Sequence, residues 1–407
     1  MSALKYWIWL STREELRRKT IERLLERFGA PEAVYEADRE AYAELALRPE
    51  EQKALEEKDM TRAYKILDTC SALDIWVMTR QDADYPTRLR HIDDAPCVLY
   101  GKGRRIHFDE EPAVAVVGTR KCSGYGRKVA YDLGAGLTRQ GMLVISGLAR
   151  GIDAEAARGA LHAGGPTAAV LGGGIDVIYP QENESLYHSV AEHGMLLSEY
   201  PPGTKPLGAH FPMRNRIISG LSLGTVVVEA PARSGALITA RHAMEQGRDV
   251  FAVPGNIDLP LSAGPNRLLR DGAAPVLQAD DIVSEYLHLY PDKLRLAREA
   301  APQMAAFHQA ETRPESTRVS IPPEKKEVDK RKGNDYIDLN DVLEPYHEKE
   351  KVILRALEPE PMQIDHLAER TQMQPRELLP LLTMLELRGV VLQTPGKCFY
   401  RCGELRE

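Results

Sequence analysis

Between residues 113 and 277 the chain repeats one pattern: a short apolar run, a glycine-containing turn, and then a segment with helical spacing. The runs are VAVVG (114–118), MLVIS (142–146), TAAVLG (167–172), MLLSE (195–199), TVVVE (225–229), DVFAV (249–253) and PVL (275–277). Segments so short and so continuously apolar have no polar face to turn to water, so each must be covered on both sides. Parallel strands with crossover helices meet that demand, and Val129, Leu133 and Leu137 are spaced to line one face of such a helix. The pattern predicts a doubly wound α/β domain over 85–288, a Rossmann-like parallel sheet with helices on both faces.

The flanks read differently. Residues 1–75 are helical in pattern: Ile21, Leu24, Leu25 and Phe28 lie on one helix face, Gly29-Ala30-Pro31 breaks the helix, and a second Ala- and Glu-rich helix follows. Residues 291–345 contain few large apolar side chains, and PPEKKEVDKRKGND (322–335) is nearly all polar, the composition of a linker. Periodic apolar residues return over 346–407, where three helical segments precede VVLQTPGKCFYRC (390–402), two strands turned by Pro395-Gly396. This order is that of a winged helix. The apolar patch Tyr6–Leu10 is too short for a signal peptide or membrane span, so a cytoplasmic protein is expected. Cys70, Cys97, Cys122, Cys398 and Cys402 lack paired zinc-site spacing and are expected to be reduced and structural.

The chemistry is expected where the strands run out, because an open α/β sheet carries its ligand crevice at its carboxyl edge. The loops Gly118-Thr119-Arg120, Ser146 to Gly151 and Gly172-Gly173-Gly174 combine close backbone approach with helix N-termini, which suits phosphate. The dinucleotide fingerprint fails, since Val129 stands where the third Gly or Ala of Gly124-x-Gly126 belongs and no acidic residue ends the second strand. A Walker loop is absent too, and no cofactor or metal is expected. The segment HFPMRNRIISG (210–220) offers Arg214 and Arg216 for phosphate and Phe211 for base stacking; the alternative is a core phenylalanine beside surface arginines. Asp153, Glu199 and Glu229 fall near strand ends; Asp153 is expected to serve the first turn of its helix rather than catalysis. The formal net charge of −7 excludes a uniformly basic surface but not a local basic groove, because charge acts on nucleic acid within about 8–10 Å at physiological salt.

Taken together, VAVVGTR (114–120), SGLARGIDAEAARGAL (146–161), AVLGGGIDVIYPQEN (169–183), SEYPPGT (198–204), FPMRNRIISGLS (211–222), VVVEAPARSGALITARHAMEQGRDVFAVPG (226–255) and GPNRLLRDGA (264–273) resemble the DprA/Smf family of DNA-processing proteins. The resemblance implies an extended Rossmann-like domain that binds single-stranded DNA without catalysis, a homodimer, and loading of the recombinase RecA on incoming strands during natural transformation. It implies DNA contacts at Gly118, Thr119 and Arg120, at Ser146 and Gly147, at Lys205, and at Phe211, Arg214, Asn215 and Arg216. It likens residues 1–75 to the family's sterile-alpha-motif or helix-hairpin-helix extension and the tail to its winged helix.

One other function class fits part of the pattern. GLSLGTVVVEA (220–230) is similar to the PGGxGTxxE loop of nucleoside-monophosphate phosphoribohydrolases, with Glu229 as the catalytic carboxylate, but the leading PGG is missing. The segment of the tail in the recognition-helix position, PRELLPLLTMLELRG, has only Arg376 and Arg388 against Glu377 and Glu386, so the tail reads as an interaction module before a duplex reader.

Overall fold

The structure is a computed structural model that describes residues 2–297, 348–357, 362–387, 391–394 and 398–401. It forms two compact units, Met1–Pro314 and Glu315–Glu407.

The first unit begins with five helices, α1 (Ser2–Ser11), α2 (Arg18–Phe28), α3 (Pro31–Glu36), α4 (Pro49–Glu56) and α5 (Thr61–Ala72). The predicted break between helices is real: Gly29, at φ 79°, donates its N–H to Leu25 O to close α2, and Pro31 opens α3. Strand β1 (Trp76–Thr79), helix α6 (Thr87–Arg90) and strand β2 (Val98–Gly103) follow. Then come β3 (Ala113–Val117), α7 (Gly124–Arg139), β4 (Leu143–Ser146), α8 (Ile152–His162), β5 (Thr167–Leu171), α9 (Glu184–His193), β6 (Met195–Ser198) and α10 (His210–Leu221). The unit closes with β7 (Gly224–Val227), α11 (Gly235–Glu245), β8 (Asp249–Ala252), α12 (Ala263–Arg270), β9 (Ala274–Pro275) and α13 (Asp280–Tyr286).

The nine strands lie in the order β1-β2-β6-β5-β4-β3-β7-β8-β9. From β6 to β9 every pairing is parallel, while β1 and β2 add an antiparallel edge. That edge is absent from the sequence-based expectation, because WVMT follows α5 with no glycine turn to announce a strand. The order reverses between β3 and β7, and this switch point is where such a sheet opens a crevice.

Alternation along β3 shows why the sheet needs two helical layers. Ala113, Ala115 and Val117 share a core with Ile217 and Leu221 of α10 and Ala236 and Ala240 of α11. Val114 and Val116 share the opposite one with Leu133 and Leu137 of α7, Ala156 of α8 and Ile282 of α13. The amino-terminal helices do not carry a separate core: Trp9, Leu24 and Leu55 belong to the same buried cluster as Tyr100 of β2, Ala169 of β5 and Val190 of α9. Each large side chain fully buried this way contributes about 1.5–3 kcal/mol. The chain also stays packed into the expected linker, with Leu294 buried against the α7–α13 layer.

Among its described residues the second unit has three helices, Glu348–Ala356, Ile364–Thr371 and Pro375–Leu387, and strands β10 (Met362–Gln363), β11 (Val391–Thr394) and β12 (Cys398–Arg401) in the antiparallel order β10-β12-β11. Ile353, Leu367, Leu378, Leu382 and Phe399 form its core, in the arrangement of a winged helix. Linker residues 298–345, Arg388, the Pro395-Gly396 turn and Cys402 lie outside the described residues.

Candidate nucleic-acid interface

At the switch point the carboxyl edge of the sheet opens into a cleft of about 620 Å³. Its walls are Gly118 to Lys121 after β3, Pro231 and the Arg233–Ala236 start of α11, and Phe211 and Pro212 at the start of α10. A smaller hollow of about 40 Å³ lies on the other side of Phe211, against Gly147, Gly172, Tyr179 and Pro206. Arg120 and Phe211 border both spaces, and the Arg120 guanidinium carbon stands 4.9 Å from the Phe211 ring centre.

Beside two of the three glycine loops, the protein's own carboxylates take the helix N-terminus and loop amides. Ser123 caps α7, accepting from Gly126 N–H at 3.0 Å, and then donates its own N–H and hydroxyl to the two carboxylate oxygens of Glu229 at 2.9 and 2.5 Å. The helix N-terminus that would hold a pyrophosphate therefore holds Glu229, which is 4% exposed. Asp153 does the same one loop further on. From the first turn of α8 it accepts the Gly147 N–H at 3.0 Å, with the Gly118 and Ala149 amides also directed at it. Burial pushes the Asp153 carboxyl above its usual range, against the pull of the neighbouring Arg214 and those amides.

Part of the expected contact set is engaged within the chain. Ser146 and Gly147 are buried, with the Ser146 hydroxyl occupied by Leu148 N–H, and the Thr119 N–H donates to Glu229 O at 2.7 Å. The amides of Gly118, Thr119 and Gly147 are committed internally rather than offered to a ligand.

Helix α10 is enclosed in the same way. Arg214, Asn215 and Arg216 are 3%, 8% and 3% exposed, since α10 is buried all round from Arg214 to Leu221. Arg216 donates to both oxygens of Glu199, at 2.7 and 3.0 Å, and to Asp94 O. Burial lowers its proton affinity, but Glu199's charge and hydrogen bonding prevail and hold it above the ordinary arginine value. Arg214 donates to Val170 O and to Asn215 Oδ1, and its guanidinium lies against the Cα of Gly147, where any side chain would collide with it. Burial pushes Arg214 down to about 10, opposed by Asp153 and aided by the repulsion of Arg120. Asn215 donates to Gly235 O at the start of α11. Arg214 and Asn215 build part of the floor of the cleft, and Arg216 lies behind them with its donors engaged by Glu199 and the backbone.

Accessible positive charge stands on the rim at Arg120, Lys121 and Arg233, and Lys205 is exposed on the segment beside the smaller hollow; among the described residues none of the four forms an ion pair. Arg150, also at the rim, is paired with Glu182. Phe211 is half-buried, with Tyr179 at 5.5 Å between ring centres, so it is neither core nor fully free. Lys121, Arg233 and Tyr179 were not singled out from the sequence. Arg233 was findable, since ARSG (232–235) leads from β7 into a helix capped by Ser234, but its approach to Arg120 depends on the β3–β7 pairing.

Residues 76–287 match the family described as DNA recombination-mediator protein A, and residues 342–397 match the DprA winged helix domain. The chain is 31% identical over 405 residues to "Protein Smf" of Synechocystis sp., covering 97% of this chain and 98% of that one. It is 46% identical over 201 residues to "DNA processing protein DprA" of Bacillus subtilis, covering 49% and 68%. The solved structure of DprA from Streptococcus pneumoniae superposes with a TM-score of 0.62 at 38% identity, over 70% of this chain and 99% of that one.

Proposed function

The chain belongs to the DprA/Smf family of DNA recombination-mediator proteins, and on that premise we propose that it binds single-stranded DNA in the cleft at the β3–β7 switch point. The observation that carries the reading is the rim: an arginine stacked on a half-buried phenylalanine, flanked by unpaired cations at Lys121 and Arg233, with Lys205 beside the smaller hollow. Stacking plus unspecific positive charge is what an unpaired strand asks for, because every base has a face and every nucleotide a phosphate. The contact set is therefore Arg120, Phe211 and Lys205 from the sequence reading, with Lys121 and Arg233 added, and with Gly118, Thr119, Ser146, Gly147, Arg214, Asn215 and Arg216 shaping the cleft from beneath.

The wider role goes with the family: a homodimer in the cytoplasm that protects incoming strands and loads RecA on them during transformation. The division of labour assigns strand binding to 85–288 and partner contacts to 1–75 and 346–407, joined by 291–345. A protein truncated near residue 330 then keeps its fold and most of its strand affinity. The phosphoribohydrolase alternative loses its support in Glu229, which caps α7 through Ser123 instead of facing the cleft. Release of adenine from AMP by the purified protein would revive it.

The test is a fluorescence titration with one oligonucleotide, single-stranded and as duplex, at two salt concentrations. The single strand is expected to bind more tightly, with little sequence preference and with affinity falling as salt rises. Equal affinity for the duplex overturns the proposal.

A further inference from the structure

Segment 200–211 forms a ridge between the cleft and a third cavity, of about 420 Å³, under the amino-terminal helices. The ridge alternates in what it faces: Thr204, Leu207 and His210 border the third cavity, whereas Pro206 and Phe211 border the hollow beside the cleft. On the third-cavity side Tyr200 and His210 form a nearly parallel stack, with ring centres 4.1 Å apart and planes 18° from each other. His210 Nδ1 is held 3.1 Å from Gly172 O, which belongs to the hollow's own wall. Across the cavity, Leu16 and Ile21 supply apolar surface between the charged Arg18 and Glu22 at the start of helix α2.

The charges around this cavity are spent. Arg13 pairs with Glu57, Arg62 with Glu14, and Arg18 with Glu199. Such a wall gives no surplus attraction to a phosphate, but an aromatic stack facing apolar side chains suits a flat, neutral ring. Lys205 is exposed on the ridge between Thr204 and Pro206, which face the two cavities, and it forms no ion pair among the described residues. We propose that this cavity is a second nucleobase seat: a single strand lying in the cleft crosses the ridge, Lys205 holds the phosphate at the crest, and the next base stacks on Tyr200 and His210. The inference rests on the strand-binding reading above, and it lengthens the footprint from the sheet on to the amino-terminal helices.

Two measurements test it. The first is the affinity of a length series of oligothymidylates for the full chain and for Tyr200→Ala, His210→Ala and Phe211→Ala, each checked by its melting curve. Tyr200→Ala and His210→Ala are expected to weaken the longer oligomers by at least about fivefold and to leave the shortest binding oligomer unchanged, whereas Phe211→Ala weakens all of them. Full affinity of both variants across the series overturns the second seat while leaving the cleft intact. If Phe211→Ala also binds normally, the strand-binding reading itself falls. The second measurement needs no variant. A long oligothymidylate carrying 5-iodouracil is cross-linked to the unmodified protein and the attached peptides are sequenced. Cross-links at Tyr200 or His210, as well as near Phe211, support the seat, and cross-links confined to the cleft side overturn it.

Discussion

The floor and the rim of the cleft contain the same residue types and behave oppositely. On the floor Arg214 and Asp153, and behind it Arg216, Glu229 and the half-buried Glu199, are bonded to one another or to the chain around them. On the rim Arg120, Lys121 and Arg233, and beside it Lys205, are exposed and without ion pairs among the described residues. An arginine therefore does different work a few ångströms apart: below, it fixes the shape of α10 against the sheet; above, it is left free for phosphate. Local sequence does not distinguish the two, because burial is decided by which strands become neighbours.

Removing one charge on or behind the floor should break the fold before it touches binding. Arg216→Ala leaves Glu199 with Arg18 alone beside an emptied space and is expected to cost about 3 kcal/mol of stability, read from urea or thermal unfolding. A melting curve like that of the unmodified protein would place Arg216 with the rim after all. Phe211→Ala should do the reverse, reducing single-strand affinity by about 1–3 kcal/mol with an unchanged salt slope. A large fall in melting temperature would instead make it a core residue. Glu229→Gln belongs with the floor: loss of the charge at the α7 N-terminus is expected to cost about 1–2 kcal/mol of stability, with strand affinity retained. Binding lost along with that charge would contradict the division.

At the rim, Arg120→Ala and Arg233→Ala should leave unfolding unaltered and each flatten the dependence of log affinity on log salt by about 0.7. Unchanged slopes would show that these cations touch no phosphate. The smallest effect is expected from protons. Asp153's carboxyl sits above its ordinary value of 3.8 in the folded protein, so its contribution to stability is full below that pH and is lost as pH rises through the folded value. Asp153→Asn should flatten that part of the stability profile, and an identical profile in the two proteins would refute the assignment.

The parallel sheet was legible because VAVVG, TAAVLG and their kin have only one way to be covered, and the winged helix because its periodic segments end in two strands. The edge strands β1 and β2 were not: WVMT is half-buried and reads as the end of a helical region. At the site, the glycine loops correctly marked the crevice, yet the chain has carboxylates 106 residues along from Ser123 and six along from Gly147 that take the amides beside two of them first. FPMRNR was legible as important; which of its side chains faced outward was not, since period and composition carry no information on how α10 lies across β5. Phe211 and Arg120 meet only because β3 and β5 are brought to one edge.

The buried cluster that joins Trp9 and Leu24 to Tyr100, Ala169 and Val190 has a consequence for how the molecule comes apart. Helices that complete a sheet's core cannot melt while the sheet persists without exposing that core to water, so residues 2–297 constitute a single cooperative block. The winged helix, with its own closed core, is a second block. On heating, the calorimetric trace should resolve two transitions rather than three, and any ligand that grips the rim should raise only the one that contains it.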